Sequence, residues 1–249
     1  MTATTTTTTI TGMTTGMSVE GAKPSTAGGL LRADDLHLSF GPSRALAGAS
    51  IGLAAGEVVA LMGPSGSGKS TLLHCLAGIL QPDSGTVEVA GNRLDAMSER
   101  QRSRFRLEHL GFVFQFGDLV PELTLRENVA LPLQLTGSRD REAARRADEL
   151  LAELDVAEVA DRRAGAVSGG QAQRAAVARG LVTRPRVLFA DEPTGSLDTA
   201  SGQQVLDSLV RLARDLGTMV LIVTHDHRVA AHADRLVTMR DGVTDPSPT

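Results

Sequence analysis

The stretch GPSGSGKST, which runs from Gly63 to Thr71, constrains this 249-residue chain more than any other feature. It directly follows the apolar run EVVALM and opens the run KSTLLHCLAGIL, whose spacing is typical of a helix. A short apolar run bounded by glycine indicates a buried strand. The sequence therefore predicts a strand, a glycine-rich loop and a helix in succession, which is a building unit of α/β folds.

The loop itself has the spacing of a nucleotide-binding phosphate loop, or P-loop. Glycines let the backbone turn so tightly that successive N–H groups point at phosphate oxygens. Lys69 can reach the β- and γ-phosphates, and the Ser70 hydroxyl can bind Mg²⁺. We predict that nucleotide contacts come from Gly63, Pro64, Ser65, Gly66, Ser67, Gly68, Lys69, Ser70 and Thr71.

A second predicted strand, RVLFAD, ends at Asp191 and is followed by Glu192. Open α/β sheets bind their ligands at the carboxyl edge, where both carboxylates would lie. We predict that Asp191 holds Mg²⁺, directly or through water. We predict that Glu192 polarises an attacking water as a general base.

A second glycine-rich stretch, VSGGQ, ends at Gln171 and precedes the helical run QAQRAAVARGLV. Ser168 has the position of an N-cap, and Gly169 and Gly170 allow close approach of the backbone. The stretch contains no lysine, no metal ligand and no acidic partner. It predicts an anion-binding helix end that cannot complete a nucleotide site alone.

Strands alternate with helices along the chain, which predicts an α/β fold with a mostly parallel sheet. The segments LRADDLHLSF and ALAGASIGL favour further strands ahead of the P-loop, and residues 116–182 are mainly helical in character. We predict one domain over residues 30–242, with a core at about 30–115 and 183–242 and a helical subdomain at about 116–182. The threonine-rich residues 1–29 and residues 243–249 are predicted to be a disordered tail and a flexible tail.

The overall composition narrows the class of protein. The net charge is −4 and the pI is about 5.9, which argues against nucleic acid as the main partner. The longest apolar runs, such as MVLIV at 219–223, are far shorter than the ~18 residues of a membrane span. The N-terminal tail lacks the basic start and apolar centre of a secretory signal, so we expect a cytoplasmic protein.

Six short motifs occur in the order in which ATP-binding subunits of ABC transporters carry them, and the chain resembles that family over roughly residues 31–241. The motifs are GPSGSGKST (Walker A), FVFQ with Gln115 (Q-loop), VSGGQ (signature), VLFADE (Walker B), GSLD (D-loop) and VTHD with His225 (switch histidine).

The resemblance implies a P-loop NTPase fold, with a RecA-like core of mostly parallel sheet, an N-terminal antiparallel β part and an inserted α-helical subdomain. It also implies ATP and Mg²⁺ as cofactors and a head-to-tail dimer of two copies. In such a dimer, Ser168, Gly169, Gly170 and Gln171 of one copy would grip the γ-phosphate that Lys69 of the other copy holds.

The remaining roles also follow from the resemblance. Gln115 would contact Mg²⁺ and report the nucleotide state, and His225 would hold the γ-phosphate and the attacking water. Asp198 would bridge to the other subunit, and Phe40 would stack on adenine. The motifs depart from the family pattern at Val167, where leucine is commoner, and at Ser196, where alanine or asparagine is more usual.

The segment FGDLVPELTLRENVALPLQLTG after Gln115 resembles the lipoprotein-release, macrolide-export and cell-division branch, whose members pair with FtsX-like permeases. We expect the chain to act on the inner face of the cell membrane through such a permease. The alternatives are a soluble ABC ATPase in DNA repair or ribosome regulation, a cell-division mechanotransmission ATPase that moves no substrate, and a scaffold that does not hydrolyse ATP.

The same segment is rich in leucine and valine and contains Pro121 and Pro132, which predict an interrupted, irregular course. An irregular apolar segment favours a groove for a short helix of the permease. We predict that Leu119 and Leu123 belong to this docking surface, although some of these leucines must fill the subdomain core.

Overall fold

A six-stranded sheet forms the centre of the protein in a computed structural model that describes residues 1–2 and 31–246. Five strands are parallel, and a sixth pairs antiparallel at one edge. In spatial order the strands are β10 (Val243–Pro246), β9 (Arg235–Arg240), β3 (Val58–Met62), β8 (Met219–Val223), β7 (Val187–Asp191) and β6 (Leu110–Phe114). This is the α/β architecture that the sequence predicts.

A second, antiparallel sheet precedes and flanks the P-loop strand. Its strands, in spatial order, are β2 (Ser43–Leu53), β1 (Leu31–Phe40), β4 (Ser84–Val89) and β5 (Asn92–Arg93). The first two form a hairpin through a tight turn, with Phe40 paired to Ser43. The predicted N-terminal antiparallel part is therefore present.

Seven α-helices connect the strands of the described chain. They are α1 (Lys69–Leu76), α2 (Glu99–His109), α3 (Leu125–Leu135), α4 (Asp140–Glu153), α5 (Gly169–Leu181), α6 (Thr199–Asp215) and α7 (His227–Ala230). Helices α3, α4 and α5 pack on one another between β6 and β7 of the chain. Among residues 1–2 and 31–246, no helix combines the length and apolarity that crossing a bilayer requires.

The parallel strands are buried on both faces because side chains alternate sides along a strand. Val58, Leu188 and Val220 pack into one core together with α3 to α6. Their chain neighbours Val59 and Leu221 pack into a second core on the other face, with α1 and the antiparallel sheet. The continuous apolar runs in the sequence thus serve two separate cores.

The chain's C-terminal end departs from the prediction. Residues 243–246 are not a flexible tail: they form β10, which pairs with β9 in register. Thr244 explains the order, because its buried hydroxyl donates to Ser50 O at 2.5 Å and accepts from Ser50 N at 2.8 Å. Residues 247–249 and, apart from residues 1 and 2, the predicted N-terminal tail lie outside the described residues.

Two further features differ from the sequence-based expectation. Pro132 lies within α3 and does not end the helix. Because proline has no N–H, the carbonyl of Asn128 only lacks the hydrogen bond that residue 132 would donate. Helix α2 was not predicted, because its only buried side chains are Arg102 and Phe105 and it has no apolar stripe. Arg102 is buried because it pairs with Glu99 and donates to Met97 O.

Candidate nucleotide-binding site

The P-loop connects the end of β3 to the start of α1, as predicted. A Cβ atom on Gly63 would lie 2.1 Å from the carbonyl oxygen of Met239, and one on Gly68 would lie 2.5 Å from the carbonyl oxygen of Ala45. No side chain fits at either position without moving backbone. Gly68 has a φ of 103° and ends the loop without a side-chain cap, which leaves the first amides of α1 open.

Two side chains in the loop indicate that it suits an anion. Lys69 Nζ donates to the carbonyl oxygens of Gly63 and Pro64, both at 2.8 Å, so the ammonium lies over the loop. The hydroxyl of Ser67 is buried and has no hydrogen-bond partner among the described residues. A cation and an unsatisfied donor beside open helix amides form a cradle that phosphate oxygens fit.

The predicted metal ligands come together at the carboxyl edge of the sheet. Ser70 Oγ, in the first turn of α1, lies 3.5 Å from Asp191 Oδ2 at the end of β7. Burial raises the pKa of the Asp191 carboxyl, with the nearby Glu192 charge adding to the rise. A hydroxyl and a carboxylate are the hard oxygen ligands that Mg²⁺ prefers, so these residues fit the metal.

Gln115 enters the site from the neighbouring strand. Phe114 pairs with Asp191 in the parallel register, so Gln115 begins the loop directly beside the metal ligand. Its side chain lies against the D-loop rather than on Ser70 or Asp191: a Cβ on Gly195 would be 2.8 Å from Gln115 Nε2. The structure therefore brings Gln115 to the edge of the site without a direct contact to the metal ligands.

Glu192 and His225 form a hydrogen-bonded pair between β7 and β8. One Glu192 oxygen lies 2.5 Å from His225 Nδ1 and accepts from His225 N at 3.1 Å, while the other accepts from Thr224 Oγ1 at 3.1 Å. The Glu192 side chain is 22% exposed and the His225 ring 77%. Glu192 also has a φ of 46°, a strained conformation of the kind that clusters at functional sites.

Phe40 lies at the tip of the β1–β2 hairpin and is 53% exposed. The hairpin lies beside the P-loop, since the Ala45 carbonyl closes on Gly68. An exposed aromatic ring beside a phosphate cradle can stack on a nucleotide base, and such contacts contribute roughly 0.5–1.5 kcal/mol beyond burial.

The signature stretch caps α5 at a different place. Ser168 Oγ accepts from Gln171 N at 3.3 Å, and Gln171 Oε1 accepts from Ser168 N at 3.0 Å, which is a complete capping box. Beyond the helix's own backbone, the atoms nearest to a Cβ on Gly169 and Gly170 belong to Leu197 and Ser201, at 3.7 and 4.0 Å. Neither belongs to the P-loop, so these contacts do not join the two glycine-rich stretches within one chain.

Known proteins resemble this chain in both sequence and structure. A family profile described as ABC transporter matches residues 46–195. The lipoprotein-releasing system ATP-binding protein LolD of Paramagnetospirillum magneticum is 46% identical over 218 residues, covering 86% of this chain and 96% of the relative. The LolD protein of Porphyromonas gingivalis is 41% identical over 214 residues, covering 86% and 98%.

This chain belongs to the ABC transporter family. It is the ATP-binding subunit of such a transporter, an ATPase with a P-loop NTPase fold. A dimeric structure of MJ0796, a bacterial ABC transporter cassette, superposes with a TM-score of 0.80 at 32% identity, covering 88% of this chain and 99% of that one. A dimeric post-hydrolysis state of the cassette MJ0796 bound to ADP and Pi superposes with a TM-score of 0.79.

The motifs of this ABC ATPase do not reveal three polar side chains that hold the loop after Gln115. Gln173 donates to Phe114 O, Arg179 donates to Gly117 O and Asp118 O, and Asn128 donates to Val120 O. Burial lowers the pKa of Arg179. The sequence did offer one signal, the polar residue type at these positions. A polar side chain on the core-facing side of a helix must find a hydrogen-bond partner.

Proposed function

We propose that this ABC ATPase powers a lipoprotein-release transporter. Two copies close head to tail around two ATP molecules, each with Mg²⁺, and the dimer docks on an FtsX-like permease at the inner face of the cell membrane. Relatives named as lipoprotein-releasing system ATP-binding proteins, matched over nearly their whole length, support this branch.

One observation carries the dimer: the signature has no ligand within its own chain. A Cβ on Gly169 or Gly170 would meet its neighbours only at ordinary van der Waals distance, and neither glycine has a left-handed φ. Nothing in the surrounding structure therefore explains why both positions lack a side chain. A γ-phosphate delivered by a second copy explains it, because a phosphate needs close approach to the first amides of α5. The cassette structures of MJ0796 are dimeric, which supports a dimer of this chain.

The reaction follows from the side chains around the P-loop. Lys69 exchanges its two carbonyl partners for the β- and γ-phosphates when ATP enters. Ser70 and Asp191, with Gln115, would hold Mg²⁺, which would neutralise phosphate charge when bound. Glu192 takes the proton of the attacking water, while His225, exposed on its outer side, orients Glu192 and reaches the γ-phosphate.

The permease would dock in a cleft of about 410 Å³ beside β6, the edge strand opposite β10. Ile79, Phe112, Phe114 and Pro132 contribute apolar surface to it. Phe116 lies two residues after Phe114 and is 74% exposed, an unusual exposure for an aromatic side chain. We use the name docking cleft for the lining residues Ile79, Phe114 and Pro132 together with Phe116, which lies outside the lining but close to Phe114 in the chain.

The docking cleft changes which residues should be tested. Leu119 packs against the core of the helical subdomain, so a charge there would disturb folding rather than docking alone. Leu123 is only partly exposed, and its carbonyl accepts from Ala164 N. Phe116 and Ile79 are the sharper probes, since both are exposed apolar side chains.

The dimer is tested with Glu192→Gln, which keeps the shape of the base but removes its basicity. We expect turnover to fall by a factor of roughly 10²–10⁴ while ATP still binds. ATP and Mg²⁺ should then shift the variant from monomer to dimer in size-exclusion chromatography with light scattering. A Glu192→Gln protein that stays monomeric with ATP, or that hydrolyses ATP like wild type, would refute the scheme.

Docking is tested by Phe116→Asp and Ile79→Asp, with Val243→Asp as a matched control on the opposite edge of the sheet. Val243 is 41% exposed, close to the 42% of Ile79. We expect the first two to bind ATP normally but to lose co-purification with a co-expressed FtsX-like permease, and the control to keep it. Equal co-purification of all three would place docking elsewhere.

The cargo is tested in vesicles that contain the permease and a lipid-anchored protein. ATP-driven release of the anchored protein supports lipoprotein release. ATP hydrolysis that depends on the permease but releases nothing would instead support a mechanotransmission ATPase.

A further inference from the structure

Gln173 connects three parts of the nucleotide site. It lies one turn into α5, is 1% exposed, and its Nε2 donates to Phe114 O at 2.9 Å and to Pro193 O at 2.6 Å. Phe114 precedes Gln115, and Pro193 follows Glu192. Both hydrogens of one amide group are therefore used to join the signature helix to the chain neighbours of two proposed catalytic residues.

Ser196 makes a second connection between the same two segments. Its Oγ donates to the carbonyl oxygen of Gln115 at 2.7 Å. The adjacent Gly195 lies so close to the Gln115 side chain that a Cβ there would meet Nε2 at 2.8 Å. The D-loop thus contacts Gln115 at both its backbone and its side chain, and the serine that departs from the usual family pattern supplies the hydrogen bond.

The turn between these contacts also carries Glu192. Gly195 N donates to Glu192 O at 3.0 Å, and Glu192 N donates to Val223 O at 2.9 Å. Glu192 sits at a positive φ, which persists only where neighbouring contacts determine it. Moving the turn away from Gln115 would therefore change the direction of the Glu192 carboxylate.

We propose that Gln173 and Ser196 are positioning residues, which hold Gln115 and the Glu192 turn in one fixed arrangement and attach that arrangement to the signature helix. Neither residue touches ATP. They act by keeping the amide of Gln115 and the carboxylate of Glu192 aligned, so they set the rate of hydrolysis rather than the affinity for nucleotide. The proposal rests on the roles assigned above to Gln115 and Glu192.

The test compares steady-state ATPase kinetics of full-length Gln173→Met, Ser196→Ala and Ser196→Thr. Methionine keeps the length of glutamine but donates nothing, and threonine keeps the hydroxyl. From the usual net worth of a hydrogen bond we expect kcat to fall on the order of tenfold for Gln173→Met and threefold for Ser196→Ala. The KM for ATP should stay within about twofold, and Ser196→Thr should restore kcat, which a purely structural role would not produce.

Two controls keep the outcome interpretable. Ser84→Ala removes an exposed serine hydroxyl on β4 and should leave kcat unchanged. Glu192→Gln reports on the roles beneath the proposal: if it hydrolyses ATP like wild type, those roles are wrong. If Glu192→Gln is inactive while Gln173→Met and Ser196→Ala keep wild-type kcat, the positioning proposal is wrong. Should Gln173→Met fail to fold, the Ser196 pair decides alone.

Discussion

The P-loop and the signature are both glycine-rich and both lead into helices, yet they differ in whether the surrounding fold requires glycine. Gly63 and Gly68 are required by this chain itself, because backbone carbonyls fill the space where a Cβ would go. A Cβ on Gly169 or Gly170 would make only ordinary van der Waals contact, so a side chain would fit at both positions. A glycine that the surrounding fold does not require points to a contact outside the chain, which we propose is the phosphate held by a second copy.

The two helix ends differ in the same way. Helix α1 starts at Gly68 without a side-chain cap, so its first amides remain available to phosphate. Helix α5 starts with a capping box, in which Ser168 already occupies the amide of Gln171. The first amides of α1 are thus left for a ligand, while α5 is capped by its own chain, and we propose that it adds only part of a phosphate site.

The largest difference should appear with Gly63→Ala. The added methyl group overlaps the Met239 carbonyl, and relieving that overlap should cost on the order of 4 kcal/mol of unfolding free energy. Gly66→Ala is the matched control, since Gly66 has open space and only its φ of 79° to resist alanine, at a cost of about 1–2 kcal/mol. Urea unfolding measures both, and equal costs would remove the distinction.

Gly170→Asp should raise stability slightly and lower ATPase activity strongly. The carboxylate stabilises the first turn of α5 by about 0.3–1 kcal/mol, yet it repels the approaching γ-phosphate. We expect ATPase activity to drop about 100-fold or more, the cost typical of losing stabilisation of a developing charge. Thermal unfolding and ATPase rates test this, with neutral Gly170→Asn as control. Full activity of Gly170→Asp would mean that no phosphate approaches the signature.

Lys69→Ala separates affinity from stability within the P-loop. Losing charge-assisted hydrogen bonds to phosphate should weaken ATP binding on the order of 30-fold. The fold should lose only about 1 kcal/mol, because the lysine bonds to two loop carbonyls without nucleotide. Isothermal titration and urea unfolding measure the two quantities. ATP affinity that is unchanged by the substitution would exclude this lysine from the site.

Ser168→Ala should have a small effect on stability and would sharpen the comparison within the signature. Removing the N-cap hydroxyl should cost about 1 kcal/mol of unfolding free energy. Unlike the glycine pair, Ser168 has a role inside the chain, so stability and ATPase activity should both fall. A variant with lower activity and unchanged stability would show that the capping box contributes nothing to the fold.

The parts of the site that local patterns encode were predictable. Each of these patterns can be recognised within about ten residues: an apolar strand before a glycine loop, a carboxylate after a strand, and a serine before a helix. The structure accordingly brings Ser70 to Asp191 and His225 to Glu192, from segments that are far apart in the sequence. Parallel strands made that meeting predictable, because their carboxyl ends share one edge.

The features that were missed depend on distant partners. Arg102 looks like a surface residue until Glu99, Gln81 and the Met97 carbonyl surround it. Thr244 looks like part of a loose end until Ser50 bonds to it. A capping box could have revealed α2, since Ser98 and Gln101 mark the start of this helix although it has no apolar periodicity.

The strand order also determines when a growing chain can first capture ATP. Among the described residues, β3 pairs with β8 and β9, both of which lie beyond residue 218. A nascent chain that has emerged as far as α5 already contains both glycine-rich stretches, but its P-loop strand has no neighbour to hold it. Pairing between such distant segments is slow and leaves apolar strands exposed meanwhile. We therefore expect that a fragment released by the ribosome before β8 is made would be a substrate for chaperones rather than a partial ATPase.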